Sequence, residues 1–167
     1  MTLPRPDFRP PIHQATLVRS DLEHTFATFV RTIGEWWPVD PFSKGGERVR
    51  RVTFEERLGG RVYETWDSGE THEWGEVLAW SPPSGFTMTW LVTGVPTEVE
   101  LGFVRLGPSL TRVTVEHRGW DALTDEQLTR DCALPGGYAN GSFAKGWELI
   151  FAAFAASFDD EQREIGK

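Results

Sequence analysis

The chain has 167 residues, and its 39% apolar and 25% charged content is that of an ordinary globular protein long enough to bury a full core in one domain. Its net charge of −8 argues against nucleic acid as a partner, and the densest basic cluster, Arg48, Arg50 and Arg51, reads as a solvated strand entry. No apolar run approaches the roughly 18 residues of a membrane span, and Cys132, the only cysteine, excludes an internal disulfide and suits a reducing cytoplasm.

Residues 1–11 are Pro-rich and lack the apolar core of a signal peptide, so they read as a flexible leader. Ile12 to Arg19 alternates with β-branched character and predicts the first strand. Ser20 or Asp21 can cap a following helix, whose Leu22, Phe26, Phe29, Val30 and Ile33 fall at helical spacing. Gly34 interrupts it, and Trp36–Trp37–Pro38 ends a second short turn. A meander of six strands follows. Val49 to Arg57 and Arg61 to Trp66 form a hairpin around Gly59–Gly60, and Asp67 to Glu70 is a turn. His72 to Trp80 is closed by a Pro-rich turn, and Phe86 to Val92 alternates cleanly. Thr97 to Leu106 and Leu110 to Arg118 then flank Gly107–Pro108–Ser109, aligning Val99, Leu101 and Phe103 with Val113, Val115 and His117. Leu123 to Cys132 reads as either a short capped helix or a plain surface connection, and as a lid if a cavity lies beneath it.

Tyr138 to Phe158 is the most patterned stretch. Phe143, Trp147, Ile150, Phe151, Phe154 and Phe158 line one face of a helix, against small or polar residues opposite. Burying such side chains is worth roughly 1.5–3 kcal/mol apiece before entropy is subtracted. A helix this aromatic requires a large complementary surface, and a curved antiparallel sheet that grips it supplies one. The domain spans 12–158, with 159–167 as a polar tail.

Six stretches in order carry a family resemblance: EWWP at Glu35, GGRVYETW at Gly59, EWGEVLAWSPP at Glu73, FTMTW at Phe86, TEVELGF at Thr97 and TRVTVEHRGW at Thr111. Together they resemble the heat-shock-protein-90 ATPase activator homologues of the START-like (SRPBCC) superfamily, over nearly the whole of 12–158. The resemblance implies an α+β helix-grip fold, with a seven-stranded antiparallel sheet around the C-terminal helix and a deep cavity between them. It also implies a link to chaperones and the stress response. The chaperone activators carry a further N-terminal domain for which this chain has no room. Related single-domain members include hydrophobic ligand binders and polyketide cyclase-like enzymes, so the fold leaves function open.

The eight tryptophans either fill an ordinary core or line an aromatic pocket. The residues expected to line a pocket are Trp37, Trp66, Trp90 and Phe103, with His117, Trp120, Trp147 and Phe151. Strand parity points His117 inward, where it is either a hydrogen-bonded core residue or a general base. Glu64 and Glu56 are further candidates. A three-residue loop pairing Arg57 with Arg61 would put both carboxylates on the concave face, and cross-strand pairs with those arginines are the competing role. His72, Glu70, Glu73, Trp74 and Glu76 form a polar–aromatic patch that could rim a pocket mouth. Histidines 13, 24, 72 and 117 lack ligand spacing and Cys132 has no partner, so neither metal nor cofactor is expected.

Three functions follow. The first is binding of a small apolar or aromatic molecule between sheet and helix. The second is a cyclase- or hydrolase-like enzyme in the same cavity. The third is a chaperone-related interaction module with an exposed apolar patch around Trp36, Trp37 and Phe42. A homodimer through exposed strand edges is compatible with each.

Overall fold

The computed structural model describes residues 11–40, 42–92, 96–119 and 142–165, with side chains of the last segment given over 146–159. Its strands are β1 (Ile12–Val18), β2 (Val49–Phe54), β3 (Arg61–Trp66), β4 (Thr71–Ser81), β5 (Gly85–Trp90), β6 (Thr97–Gly107) and β7 (Leu110–Arg118). They form one antiparallel sheet in the order β1-β7-β6-β5-β4-β3-β2. This is the expected seven-stranded sheet of a helix-grip fold.

β1 and β2 lie on opposite edges, so the chain between them must cross the sheet. It crosses as two helices, α1 (Leu22–Arg31) and α2 (Ile33–Trp36). Asp21 caps α1 by accepting from the His24 amide at 2.7 Å, and α1 buries Phe26, Phe29 and Val30 against the sheet. Gly34 lets α2 lie directly on β2, since a Cβ there would sit 3.0 Å from the Val52 nitrogen.

The C-terminal helix α3 (Ser142–Ile165) begins at the first described residue after 119 and continues past Phe158. Trp147, Ile150, Phe151, Phe154 and Phe158 are all buried, while Glu148, Leu149 and Ala152 face out. That is the face read from the spacing. Phe143 and the Leu123–Cys132 stretch lie outside the described side chains.

Register is as expected in the centre: Val99 pairs with His117, Leu101 with Val115 and Phe103 with Val113. It differs at β2–β3. β2 ends at Phe54, and Phe54 pairs with Val62 and Val52 with Glu64, two residues off the pairing expected from an Arg57–Arg61 closure. The connection is a longer loop over 55–60, held by Arg57 N to Glu55 O at 2.9 Å and Arg61 N to Glu55 Oε1 at 2.9 Å. Parity survives, so Val52, Phe54, Val62 and Glu64 still face inward. Glu56 does not: it sits in the loop and pairs with Arg31 at 3.2 Å.

β4 carries two register shifts, one opposite Val62/Tyr63 and one between Val77 and Ala79. Each adds a residue and resets the alternation. Trp74 and Val77 are therefore both buried, while Glu76 and Leu78 turn outward.

Candidate functional site

Four indoles meet under the N-terminal half of α3, each delivered by a different element. Trp37 follows α2, Trp74 lies on β4, Trp90 closes β5 and Trp147 comes from α3. Trp37 lies 5.0 Å from Trp74, 5.8 Å from Trp90 and 5.8 Å from Trp147, ring centre to ring centre. Trp90 is 5.7 Å from Trp74 and 5.5 Å from Trp147. These are tilted and edge-to-face contacts, the arrangements aromatic quadrupoles favour. All four are at most 6% exposed.

His117 is wired into this cluster. The Trp147 indole donates to His117 Nδ1 at 3.0 Å, and Nε2 lies 2.8 Å from Thr97 Oγ1. An indole nitrogen can only donate, so Nδ1 accepts and the imidazole proton sits on Nε2, donating to Thr97. The Thr97 hydroxyl passes the chain on to the Trp90 carbonyl at 3.2 Å. Burial pushes the His117 pKa down to about 3. The ring is therefore neutral at pH 7 with its lone pair engaged, which makes it an orienting group.

Glu64 is fully buried and receives four N–H donors. Lys44 N and Trp74 Nε1 reach Oε1 at 2.8 and 2.7 Å, and Gly45 N and Trp66 Nε1 reach Oε2 at 2.7 and 2.6 Å. Charge-assisted bonds of this kind offset the desolvation of a buried carboxylate without a cation. They also fasten the 43–48 loop across the end of β3. Gly45 is required there, because a Cβ would lie 2.3 Å from Trp66 Nε1 and 2.9 Å from Glu64 Oε2.

Trp66 is held further out. His72 stacks on it with ring centres 3.9 Å apart, and the Arg48 guanidinium lies 4.0 Å from its centre. Two groups that close cannot share one face of the ring, so the indole is sandwiched between them.

The structure brings together Trp37, Trp90, His117, Trp147 and Phe151, which packs edge-on against Trp147 with ring centres 5.9 Å apart. Trp66 joins through Glu64. Phe103 does not join: it packs on Phe26 and Phe29 of α1, at 5.1 and 5.6 Å. Glu56 is outside the site on Arg31, and Trp120 lies outside the described residues. The His72 patch divides, with Trp74 buried and Glu73 paired outward with Arg61. Trp36, Trp37 and Phe42, expected as an exposed patch, are 7%, 5% and 8% exposed, because the crossing from β1 to β2 presses them into the core. Sequence reasoning placed Trp74 only at a pocket rim, and it missed Thr97 and the two loop amides. For Trp74 the available signal was Gly75, where a Cβ would meet Thr89 O at 1.8 Å and which marks the bulge.

The sequence pattern of the Activator of Hsp90 ATPase homolog 1-like protein family matches residues 23–159. The chain belongs to that family. Among solved structures, this Hsp90-activator-homolog-like chain is similar to Txn09, an anthrahydroquino-gamma-pyrone synthase solved as a complex. The two are 28% identical over 91% of this chain and 99% of that one, with a TM-score of 0.58. It is also similar to CalC, a self-sacrificing resistance protein from Micromonospora echinospora, at 26% identity over 91% and 96% of the two chains and a TM-score of 0.65. CalU16 from the same organism, 17% identical over 96% and 84% with a TM-score of 0.58, shares the fold. No functionally curated protein matches the chain.

Proposed function

We propose that the protein binds a small, largely apolar, aromatic molecule where the sheet and α3 converge on Trp37, Trp74, Trp90 and Trp147. The observation that carries this reading is the gathering of four indoles from four elements beside the polar Trp147–His117–Thr97 chain. Aromatic faces with a few fixed polar groups are what small-molecule sites use for affinity and orientation. The single cysteine suits a cytoplasmic setting for such binding.

A cyclase-like enzyme in the same place is the second reading, favoured by the similarity to Txn09, a synthase. In that reading His117 and Glu64 act by orienting groups, since N–H and O–H partners already occupy them.

Two measurements test the binding reading. Native mass spectrometry of protein purified from its own host should show a discrete small mass that leaves on denaturation. Titration with hydroxymethyl-anthraquinone should quench tryptophan emission saturably at one molecule per chain. A bare chain mass together with linear, unsaturable quenching would overturn it.

A further inference from the structure

Three of the four clustered indoles have committed their N–H groups. Trp37 donates to Phe42 O at 2.8 Å, Trp74 to Glu64 Oε1 at 2.7 Å and Trp147 to His117 Nδ1 at 3.0 Å. The fourth is Trp90, only 6% exposed, whose N–H donates to no group among the described residues. Its nitrogen is not sealed off either. Among the described side chains, only Thr65 Oγ1 and His72 Nε2 are both buried and without a partner. The Trp90 N–H therefore opens on accessible space, while its ring is held by Trp37, Trp74 and Trp147 and lies 6.2 Å from His117.

We propose that Trp90 is the specificity-determining donor of this site, and that the occupant is a flat aromatic molecule bearing a conjugated carbonyl, a quinone or aryl ketone, that accepts the indole N–H. This rests on the binding reading above. The chemistry narrows the class in three steps. An indole N–H can only donate, so the group facing it must accept, which excludes ammonium and guanidinium groups. A carboxylate is a poor fit, because the one buried here, Glu64, takes four N–H donors where Trp90 offers one. A conjugated carbonyl is neutral and lies in the plane of its ring. The ring can then pack against neighbouring indoles while the oxygen reaches an N–H at its edge.

The test compares hydroxymethyl-anthraquinone with hydroxymethyl-anthracene, which share a shape and differ in the carbonyls. The wild-type protein should prefer the quinone, and Trp90→Phe should reduce the quinone-to-hydrocarbon affinity ratio about fivefold, the loss of one neutral hydrogen bond. Replacing Trp90 by the near-isosteric β-benzothienylalanine, which keeps the rings without the N–H, should do the same even if the Phe variant folds poorly. Before ligand is added, the Trp90 indole proton should exchange with solvent faster than those of Trp37, Trp74 and Trp147. Quinone binding should slow that exchange. An unchanged affinity ratio in both variants, or a Trp90 proton as protected as that of Trp74, overturns the proposal. If the wild type binds neither compound, the binding reading fails and the proposal with it. The exchange rate in the free protein separates that failure from a Trp90 N–H that was closed all along.

Discussion

The two ends of the grip are built from different rings. Under α1, phenylalanines predominate, and the Trp36 indole there donates to the Phe29 carbonyl. Phe26 packs on Phe86 and Phe103, Phe29 on Phe86, Phe103 and Phe154, and Phe54 on Phe86, with Trp80 closing the edge. Under the start of α3 the rings are indoles, and Glu64, His117, Thr97 and two loop amides are threaded among them. Phenylalanine has no hydrogen-bonding need, so it can be packed wherever volume fits. Each buried indole brings a donor that must be met by an acceptor. The Phe end is suited to holding α1 and α3 on the sheet. The Trp end has the polar wiring on which the proposed binding rests, and among the described residues its Trp90 N–H has no acceptor.

The largest expected effect contrasts these ends directly. Phe154 is fully buried, with ring centres 4.6 Å from Trp36 and 5.1 Å from Phe29. Phe154→Ala should cost about 3–5 kcal/mol in urea unfolding, by the same amount at pH 7 and pH 5, and should leave exchange at the Lys44 and Gly45 amides ahead of global unfolding unchanged. A loss below about 1 kcal/mol would mean that this end is not a close-packed core. Glu64→Gln comes next. The amide nitrogen would face two N–H donors that the carboxylate now accepts, at a cost of about 3 kcal/mol. The Lys44 and Gly45 amides should then exchange locally, because their acceptor is weakened. Exchange at those amides only through global unfolding would show that the loop is held by something other than Glu64.

What could be read from the sequence divides along the same line. The α3 face and the pairing of Val99 with His117 were legible because helical spacing and strand alternation run unbroken through those elements. The inward set on β4 was hidden because its two bulges replace alternation with Trp74, Val77 and Trp80, a spacing of three that departs from the strand period of two. The role of Glu64 was half legible. Parity placed it inward, but two of its four partners are backbone amides of a loop with no side-chain signature, and only Gly45 hints at the close approach. Glu56 was misplaced because loop length, set by Glu55 folding back on Arg57 and Arg61, decides where β2 stops. Phe103 was placed on the correct face. Which end of that face it occupies depends on where α1 crosses, a long-range fact that local pattern does not contain.

The smallest expected effect is also the most specific to the Trp end. Burial lowers the His117 pKa from its ordinary 6.5 to about 3. Between those values the unfolded chain takes up a proton that the folded chain refuses. The stability this contributes is complete above pH 6.5 and is lost as pH falls toward 3, at a slope of up to about 1.4 kcal/mol per pH unit. His117→Gln offers a carbonyl to the Trp147 N–H and an amide to Thr97, but it does not titrate. At pH 7 it should cost about 1 kcal/mol for imperfect geometry. Its stability should then fall less steeply than the wild type's on acidification, so that the two curves cross at about pH 5.7. Carboxylate titrations act on both proteins alike and cancel in the difference. Parallel curves would mean that His117 takes up its proton in the folded state, and the neutral Trp147–His117–Thr97 chain would then be the wrong description of this end. Crossing curves, set beside the pH-independent loss expected for Phe154→Ala, would separate the two ends by how each keeps its polar groups.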